Sequence, residues 1–315
     1  MANVPTGSKI SIVIPVFNEA AMITLLLERL AATVRQLDRY TWELILVDDG
    51  SVDDSAQRIL DQASLFPGKL LLRRFSRNFG HQAALMAGLE KASGEAIIFI
   101  DADLQDPPEL FAAFLSHFEK GYDVVYGIRK RRDSGLWLKL SYKIFYLLFQ
   151  KMADVSIPLD AGDFGLISRR AANIIKQMPE KDLLLRGLRS WVGFKQVGVP
   201  YDRPERAAGE TKYTLRKLMN LAASAFFGYS SLPLRISTGC GLGAILLGLL
   251  YGGYALYGKW VLNANPPGWT SLLMIVLLLG GAQLISVGIL GEYISRIYRQ
   301  SLSRPLYVVA DDHSL

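Results

Sequence analysis

The stretch IIFIDADLQDPPE, Ile97 to Glu109, decides the fold. Ile97, Ile98, Phe99 and Ile100 form a continuous apolar run of the kind buried on both faces of a parallel sheet, and the run stops at Asp101, Asp103 and Asp106. Pro107 and Pro108 then open a helix. In open α/β sheets the carboxyl edge of the strands is where ligands bind, and an Asp-x-Asp pair there offers hard oxygen ligands to a divalent metal that holds a diphosphate. A turn whose acids cap the next helix is the plainer reading of the same residues. The neighbouring segments decide between the two.

Outward from this strand the same pattern recurs. Ile10 to Pro15 is a short apolar run, followed by a helical period through Leu26, Leu27, Leu30 and Val34 within Glu19 to Val34. Trp42 to Val47 is a second strand that stops at Asp48-Asp49-Gly50-Ser51, and Ser51 to Leu60 a second helix with Ser51 or Asp53 at its cap. Leu70 to Phe75 and Asn78 to Ala92 make a third pair; Pro107 to Lys120 and Asp123 to Gly127 follow the anchor strand. This alternation predicts an α/β fold: a Rossmann-like, mainly parallel sheet with helices on both faces. Neither GxGxxG after the first strand nor GxxxxGK[ST] anywhere is present, so a nucleotide is not held by those loops. Instead Pro15 to Glu19, Asp48 to Ser51 and Asp101 to Asp106 would lie side by side along one sheet edge. Carboxylates there can accept from a base N–H or ribose hydroxyls while a metal carries the phosphates.

The chain of 315 residues has a formal charge of +6, a pI of about 9.3 and half its residues hydrophobic, which suits an anionic membrane surface. No basic helix with interleaved aromatics argues for nucleic acid. Cys240, the one cysteine, excludes a disulfide framework and a zinc-finger pattern. The N-terminal stretch MANVPTGSKISIVIPVFNE has too short an apolar core for a signal peptide and leads into a strand.

IPVFNE at 14 to 19, VDDGS at 47 to 51, SRNFGHQAALMAG at 76 to 88 and DADLQDPPE at 101 to 109 resemble the inverting family 2 glycosyltransferases of GT-A fold. Within that family the chain is most similar to the polyprenyl-phosphate group that includes bactoprenol glucosyltransferases and dolichyl-phosphate mannose synthases. The resemblance implies that Pro15, Phe17, Glu19, Asp48 and Asp49, with Ala102, surround the donor nucleoside, and that Asp101, Asp103 and Gln105 stand at a Mg²⁺ or Mn²⁺ ion and the diphosphate. From the residues alone Gln105 serves equally as a surface turn. Arg77 could reach a phosphate or base across the cleft, or make a structural ion pair. His81, after Gly80 at a helix start, reads as a residue bonding to the turn rather than a catalyst.

Beyond the fifth strand the chain turns basic through Arg129, Lys130, Arg131 and Arg132, then runs into an apolar stretch, Tyr142 to Met152, suited to a membrane interface. The resemblance makes Arg129, Lys139 and Ser141 binders of an acceptor phosphate. LDAGDFGLISRR, 159 to 170, puts Asp160 and Asp163 in a loop before a short strand. Asp163 is the first candidate for a catalytic or acceptor-orienting carboxylate and Asp160 the second. A phosphomonoester is already largely dianionic near neutral pH, with its second pKa around 6, so orientation suffices and a strong base is not required. The family pattern has an Arg after the Phe of GDF, where this chain has Gly165. Further on, Tyr201 to Leu218 is polar and reads as a loop; by resemblance Arg206, Lys212 and Tyr213 belong to a segment that closes over donor and acceptor.

Ile236 to Tyr257 and Trp269 to Gly291 each exceed the roughly 20 apolar residues that span a bilayer, which predicts a hairpin of two transmembrane helices. Arg216, Lys217 and Arg235 precede the first span and Arg296, Arg299 and Arg304 follow the second, against Lys259 in the turn. The positive-inside rule then places the catalytic domain and both termini in the cytoplasm. The expected organisation is a catalytic domain over 1–213, an amphipathic interface helix over 214–231, the hairpin over 232–295 and a tail over 296–315. Small residues in the spans permit a homo-oligomer. By resemblance the chain moves a sugar from a nucleotide diphosphate, UDP-glucose first, to undecaprenyl phosphate at the inner membrane. GDP-mannose, UDP-GlcNAc and a UDP-aminoarabinose derivative are the rival donors, and a separate flippase would carry the product across. A processive synthase would need a QxxRW-type motif, which LRGLRSW at 185 to 191 does not provide. A non-catalytic scaffold would show a broken metal motif, and DADLQD is whole.

Overall fold

The computed structural model describes residues 7–129, 161–178, 180, 184–202, 232–260 and 268–315. These fall into two compact units, one of described residues up to 202 together with 304–315, the other of those from 232 to 303.

The first unit is built on β1 (Lys9–Val16), α1 (Ile23–Arg35), β2 (Thr41–Asp48), α2 (Ser55–Asp61), β3 (Lys69–Phe75), α3 (His81–Lys91) and β4 (Ala96–Phe99). It continues with α4 (Phe111–Glu119), β5 (Val124–Arg129), β6 (Ala161–Ser168), α5 (Arg169–Lys176), α6 (Leu185–Trp191) and β7 (Gln196–Tyr201). The second unit contributes α7 (Leu232–Trp260) and α8 (Trp269–Ser301), and the chain ends in β8 (Val309–Ser314), which belongs to the first. One sheet of eight strands runs in the order β7-β5-β6-β4-β1-β2-β3-β8. Its four central strands, β4-β1-β2-β3, are parallel, as the alternation predicts, and β6 and β8 enter antiparallel.

The strands are apolar on both sides because both sides are covered. Ile12 and Ile14 of β1 enter one core with Leu26 and Leu30 of α1, Ile59 of α2 and Phe111 and Phe114 of α4. Val13, pointing the other way at period two, enters a second core with Leu85 and Leu89 of α3, Ile175 of α5 and Leu188 of α6. Strand order reverses at β1: the chain steps outward through β2 and β3, then returns to its other side with β4. The carboxyl ends of β1 and β4 therefore flank the switch point, where an open sheet leaves a crevice.

Two local expectations change. The second helix starts at Ser55 rather than Ser51, with Asp54 at its N-cap and Asp53 Oδ1 accepting from Ser55 N at 3.0 Å. Ser51 Oγ accepts from Asn18 N at 2.9 Å and Asp53 Oδ2 from Ala20 N at 3.1 Å, stitching the loop after β1 to the loop after β2. Asp163 also lies inside β6 rather than in a loop before it, since Phe99↔Gly165 pairing carries the strand back to Ala161, opposite Ile128 of β5.

In the second unit the expected spans fall on α7 and α8, joined by a hydrogen bond from Ser237 Oγ to Ser286 Oγ at 2.7 Å. Among the described residues one segment, Leu278–Ser301 of α8, is long and apolar enough to cross a membrane. The interface helix over 214–231 lies outside the described residues.

The placement of α3 depends on Gly88. A Cβ there would meet Val13 Cγ1 at 2.3 Å and Val47 Cγ2 at 3.3 Å, so only glycine lets the helix lie this close to the sheet. Gly88→Ala is expected to destabilise the first unit by about 1–3 kcal/mol through overpacking, and Val13→Ala in the same chain to recover part of that. Thermal unfolding of the single and double variants checks it; additive losses would show that the two sites do not share the space.

Candidate active site

The carboxyl edge is assembled from six strands, β1, β2, β4, β5, β6 and β7, with the helices α3 and α6. Asp48 closes β2 opposite Val16, and its Oδ1 accepts from Ser51 N at 3.0 Å. Asp49 is buried, and its carboxylate accepts from Phe79 N at 2.6 Å and Gly80 N at 2.9 Å. It thereby pins the turn that starts α3; burial and the neighbouring Asp48 outweigh those bonds and push its carboxyl up. Pro15 is buried within β1, Glu19 N donates to Ser55 Oγ at 2.9 Å, and Phe17 stays 43 % exposed, an apolar face left open at the edge. Arg77 donates to Asn78 O at 3.0 Å and lies over the Phe79 ring at 4.0 Å. Among the described residues it makes no ion pair.

At the end of β4, Ala102 and Leu104 are buried, and Leu104 takes a left-handed backbone with φ of 54°. A non-glycine residue there stores on the order of 1–3 kcal/mol, and such outliers concentrate at functional loops. Asp103 Oδ1 accepts from Gln105 N at 3.1 Å, so the pair forms a tight turn and Gln105 is half-buried. Continuing the Phe99↔Gly165 register by two residues sets Asp101 across from Asp163.

His81 stands between those two acids. Its Nε2 lies 3.6 Å from Asp101 Oδ1 and 3.6 Å from Asp163 Oδ2. Gln82 Nε2 donates to Asp163 Oδ2 at 2.7 Å, and Gln82 Oε1 accepts from Leu185 N at 2.7 Å, tying α3 to β6 and α6. Burial works against the imidazolium, but Asp163, Asp101 and Asp49 together raise the His81 pKa. Burial alone would raise Asp163 too; the His81 contact, with Arg186 and Arg189 behind it, holds it down to about 2. Asp101 behaves in the opposite way. Burial pushes it up to about 6, His81 opposes, and the Asp106, Asp163 and Asp103 carboxylates add to the rise.

Asp106, fully buried, accepts a short hydrogen bond from Tyr201 OH. Arg129 Nε donates to the same hydroxyl at 3.2 Å, with Nη2 3.8 Å from Asp106 Oδ1. Burial and Asp106 push Tyr201 well above its ordinary value, while Tyr201 and Asp106 raise Arg129 against its burial. The guanidinium of Arg129 is thus held at the end of β5 and remains about a third exposed. Arg189 is a second buried cation: Nη2 donates to Gly162 O at 3.1 Å and the guanidinium faces the Tyr126 ring at 5.1 Å. A Cβ on Gly165 would come within 3.2 Å of its Nη1, so the position where the family pattern has an arginine is left empty beside an arginine from α6.

Residues 11–175 match the family model Glycosyl transferase family 2. The chain belongs to glycosyl transferase family 2. As expected of a family 2 enzyme it is a glycosyltransferase, and residues 232–297 match a second model, the GtrB C-terminal hairpin. An uncharacterized glycosyltransferase of Bacillus subtilis is 42 % identical over 97 % of this chain and 94 % of its own length. A bactoprenol glucosyl transferase of Shigella phage SfV is 39 % identical over 96 % of this chain and 99 % of its own. Among solved structures a Pyrobaculum calidifontis mannosyltransferase in complex with GDP-Man and Mn²⁺ aligns with a TM-score of 0.50 at 17 % identity, over 91 % of this chain and 89 % of that one, a likeness of fold.

Of the candidates read from sequence, Pro15, Phe17, Glu19, Asp48, Asp49, Arg77, Asp101, Ala102, Asp103, Gln105, Arg129 and Asp163 lie along this edge of the transferase. Asp160, Lys139, Ser141, Arg206, Lys212 and Tyr213 lie outside the described residues. Sequence reading named Asp106 among the strand-end acids and took His81 for a turn residue; it passed over Gln82, Arg189 and Tyr201. His81 had one visible signal, its place between Gly80 and the apolar period of α3, which puts it at a helix start on the ligand edge; the others meet the site only through tertiary pairing.

Asp163 supplies a pH test of the transferase. Its folded pKa is depressed from 3.8 to about 2, so its contribution to stability is present above its ordinary value and is lost as pH falls through about 2. Asp163→Asn is expected to cost about 2.5 kcal/mol near neutral pH, at about 1.4 kcal/mol per pKa unit, with the gap to wild type closing toward acid. Unfolding followed across that range checks it; a gap independent of pH would mean the ion pair with His81 does not form.

Proposed function

We propose that this transferase moves a sugar from a nucleoside diphosphate to a polyprenyl phosphate with inversion at the anomeric carbon. The observation that carries the reading is the arrangement at the switch point: an acidic cluster for a donor diphosphate and its metal, beside a pre-held arginine for a second phosphate. Asp101, Asp103, Asp106 and Asp163 share one field, and Arg129 is fixed next to Asp106. The accompanying hairpin model and the full-length likeness to bactoprenol glucosyl transferases support a lipid acceptor.

The residues fit a divalent cation. Asp101 is held up to about 6 by burial and by neighbouring carboxylates, a crowding that a cation would relieve. Asp163 Oδ1 is buried with no hydrogen-bond partner among the described residues. Among those residues no group of three or more His, Cys, Asp or Glu could hold a metal by itself. Asp101 and Asp103 would therefore hold Mg²⁺ or Mn²⁺ together with the diphosphate, as such ions bind through one or two carboxylates plus substrate phosphates. When bound, the ion takes up negative charge on the leaving diphosphate.

This chain's own residues do the rest. Phe17 offers an apolar face for the base, and Asp48 an acceptor for its N–H or for the ribose. Arg129 meets the acceptor phosphate, whose oxygen attacks the anomeric carbon as the bond to the β-phosphate oxygen breaks. No proton has to be removed from a dianionic phosphate. Asp163, held ionised by His81 and its arginines, suits the placing of charge opposite the sugar ring rather than proton abstraction. UDP-glucose is the donor we favour, ahead of GDP-mannose, UDP-GlcNAc and a UDP-aminoarabinose derivative. Lys139, Ser141, Arg206, Lys212 and Tyr213 complete the acceptor and closing segments in this reading.

The second unit supports a membrane location. Leu246, Leu247, Leu249 and Leu250 of α7 and Leu278, Leu284 and Ile285 of α8 are exposed, more apolar surface than a soluble hairpin leaves bare. We place α7 and α8 as two spans of the inner membrane, catalytic unit and both termini cytoplasmic, with a flippase as a separate partner and a homo-oligomer compatible with the small residues of the spans.

In detergent-solubilised protein given labelled UDP-glucose, undecaprenyl phosphate and Mn²⁺, label is expected to pass into the lipid extract, and Asp103→Ala to lower the rate about 100-fold or more. Full metal-dependent transfer by Asp103→Ala would sink the site assignment. Because Asp101 titrates near 6 without metal, Mn²⁺ binding should release protons at about pH 6 and almost none at about pH 8. Calorimetry in two buffers of different ionisation enthalpy reads this directly; equal release at both would remove Asp101 from the ligands.

A further inference from the structure

The C-terminal strand carries charge to the donor edge. β8 pairs antiparallel with β3, Arg73 opposite Asp312 and Arg74 opposite Asp311, and the pairing extends through Ser76 N to Val308 O at 3.0 Å. Two contacts anchor it independently of the edge. Arg73 grips Asp312 with both ends of its fork, Nε to Oδ1 at 2.8 Å and Nη2 to Oδ2 at 2.9 Å, and the Tyr307 ring stacks on Phe75 at 4.7 Å.

Arg74 does something else. On its other side β3 pairs with β2, and there Arg74 stands opposite Asp48. One row across three strands thus reads Asp48, Arg74, Asp311, an anion, a cation and an anion at cross-strand spacing. Arg74 Nη1 donates to Asp311 Oδ2 at 3.3 Å, while its Nε lies 3.7 Å from Asp48 Oδ2, beyond hydrogen-bonding range. That Nε has no hydrogen-bond partner among the described residues. His313 Nε2 sits 2.9 Å from Asp311 Oδ1 on the far side. The guanidinium is therefore near enough to Asp48 to compensate its buried charge, and is held off its second oxygen by Asp311.

We propose that β8 is a working part of the donor-nucleotide site, with Asp311 as a positioning residue that acts through Arg74 on Asp48. This rests on the reading of Asp48 as a nucleoside acceptor. Asp48 is buried and its Oδ1 is occupied by Ser51 N, so Oδ2 is the oxygen left for a base or ribose donor, and the pull of Asp311 keeps Arg74 Nε 3.7 Å from it. Without the Asp311 charge, Arg74 closes on Asp48 and competes with the nucleotide for that oxygen.

The test is calorimetric titration of the detergent-solubilised full chain with UDP and with GDP, each with Mn²⁺. Asp311→Asn keeps the strand's shape and the Arg73 fork, and is expected to weaken binding of the preferred nucleotide about three- to tenfold, the scale of a partly buried charge pair. In an Arg74→Gln background the same substitution is expected to change nothing, because its effect runs through Arg74. Asp312→Asn, which breaks the anchoring fork instead, is expected to lower the unfolding temperature and leave affinity within twofold or so of wild type. The inference is overturned if Asp311→Asn binds like wild type, if its effect persists without Arg74, or if Asp312→Asn weakens binding as much. Wild-type chain that binds neither UDP nor GDP would overturn the donor reading itself, and this inference with it.

Discussion

Carboxylates gathered at one sheet edge repel one another, and the repulsion grows as water is excluded from between them. The transferase brings Asp101, Asp103, Asp106 and Asp163 into one field, and the surrounding elements are placed so that positive charge reaches most of them. Asp106 has Arg129 of β5, with Tyr201 of β7 between them. Asp163 has His81 of α3, and Arg186 and Arg189 of α6 behind it. Among the described residues Asp101 has His81 at 3.6 Å and a weaker pull from Arg129, and it is the acid whose pKa is pushed up to about 6. The uneven supply of cations divides similar side chains into different chemical roles: one anion fixed at all ordinary pH, and one carboxyl that gains from an added cation.

That division depends on topology before it depends on side chains. A purely parallel sheet would put a helix crossover between β4 and its next neighbour and bring only that strand's end to the edge, leaving its first residues at the opposite side. Here β6 runs antiparallel beside β4, so its beginning, rather than its end, lies at the ligand edge. Asp163, third residue of β6, can then face Asp101, just past the end of β4. The close seating of α3 over Gly88 brings His81 into the gap between them. Each of these placements comes from packing in the second core, where Val13, Leu85 and Leu188 meet, and not from the acids themselves.

Local sequence carries the part of this that local sequence determines. Strands β1 to β5 were legible because apolar runs broken by acids and glycines leave little alternative, and Asp48, Asp101 and Asp103 were legible because they stand at the ends of such runs. Family 2 membership was legible from the same loops. The partners were not. Tyr201 reaches Asp106 across 95 residues of chain, and Gln82 reaches Asp163 across 81, separations at which no periodicity reports contact. β8 was missed for a different reason: four of the six residues of VADDHS are polar, since it pairs by charge with Arg73 and Arg74 at the sheet's edge and has little apolar face to show. His81 was visible yet read too plainly, because a histidine at a helix start looks alike whether it bonds to its own turn or to carboxylates from two other strands.

The departure at Gly165 shows why a motif residue and its chemistry can separate. A side chain at 165 would project toward the Val125 carbonyl, 2.5 Å from its Cβ, and toward Arg189 Nη1 at 3.2 Å, so a long residue there and Arg189 compete for one space. The transferase fills it from α6. Burial costs Arg189 part of its basicity and brings it down to about 10, still far above physiological pH, so the group stays charged. A buried charge of this kind persists when it is compensated, and the compensation on hand is Asp163, the Gly162 carbonyl and the face of Tyr126. Arg189 and Asp163 therefore stabilise each other's ionised form. Glycine at 165 is the condition that lets a cation from another element stand where the strand itself carries none.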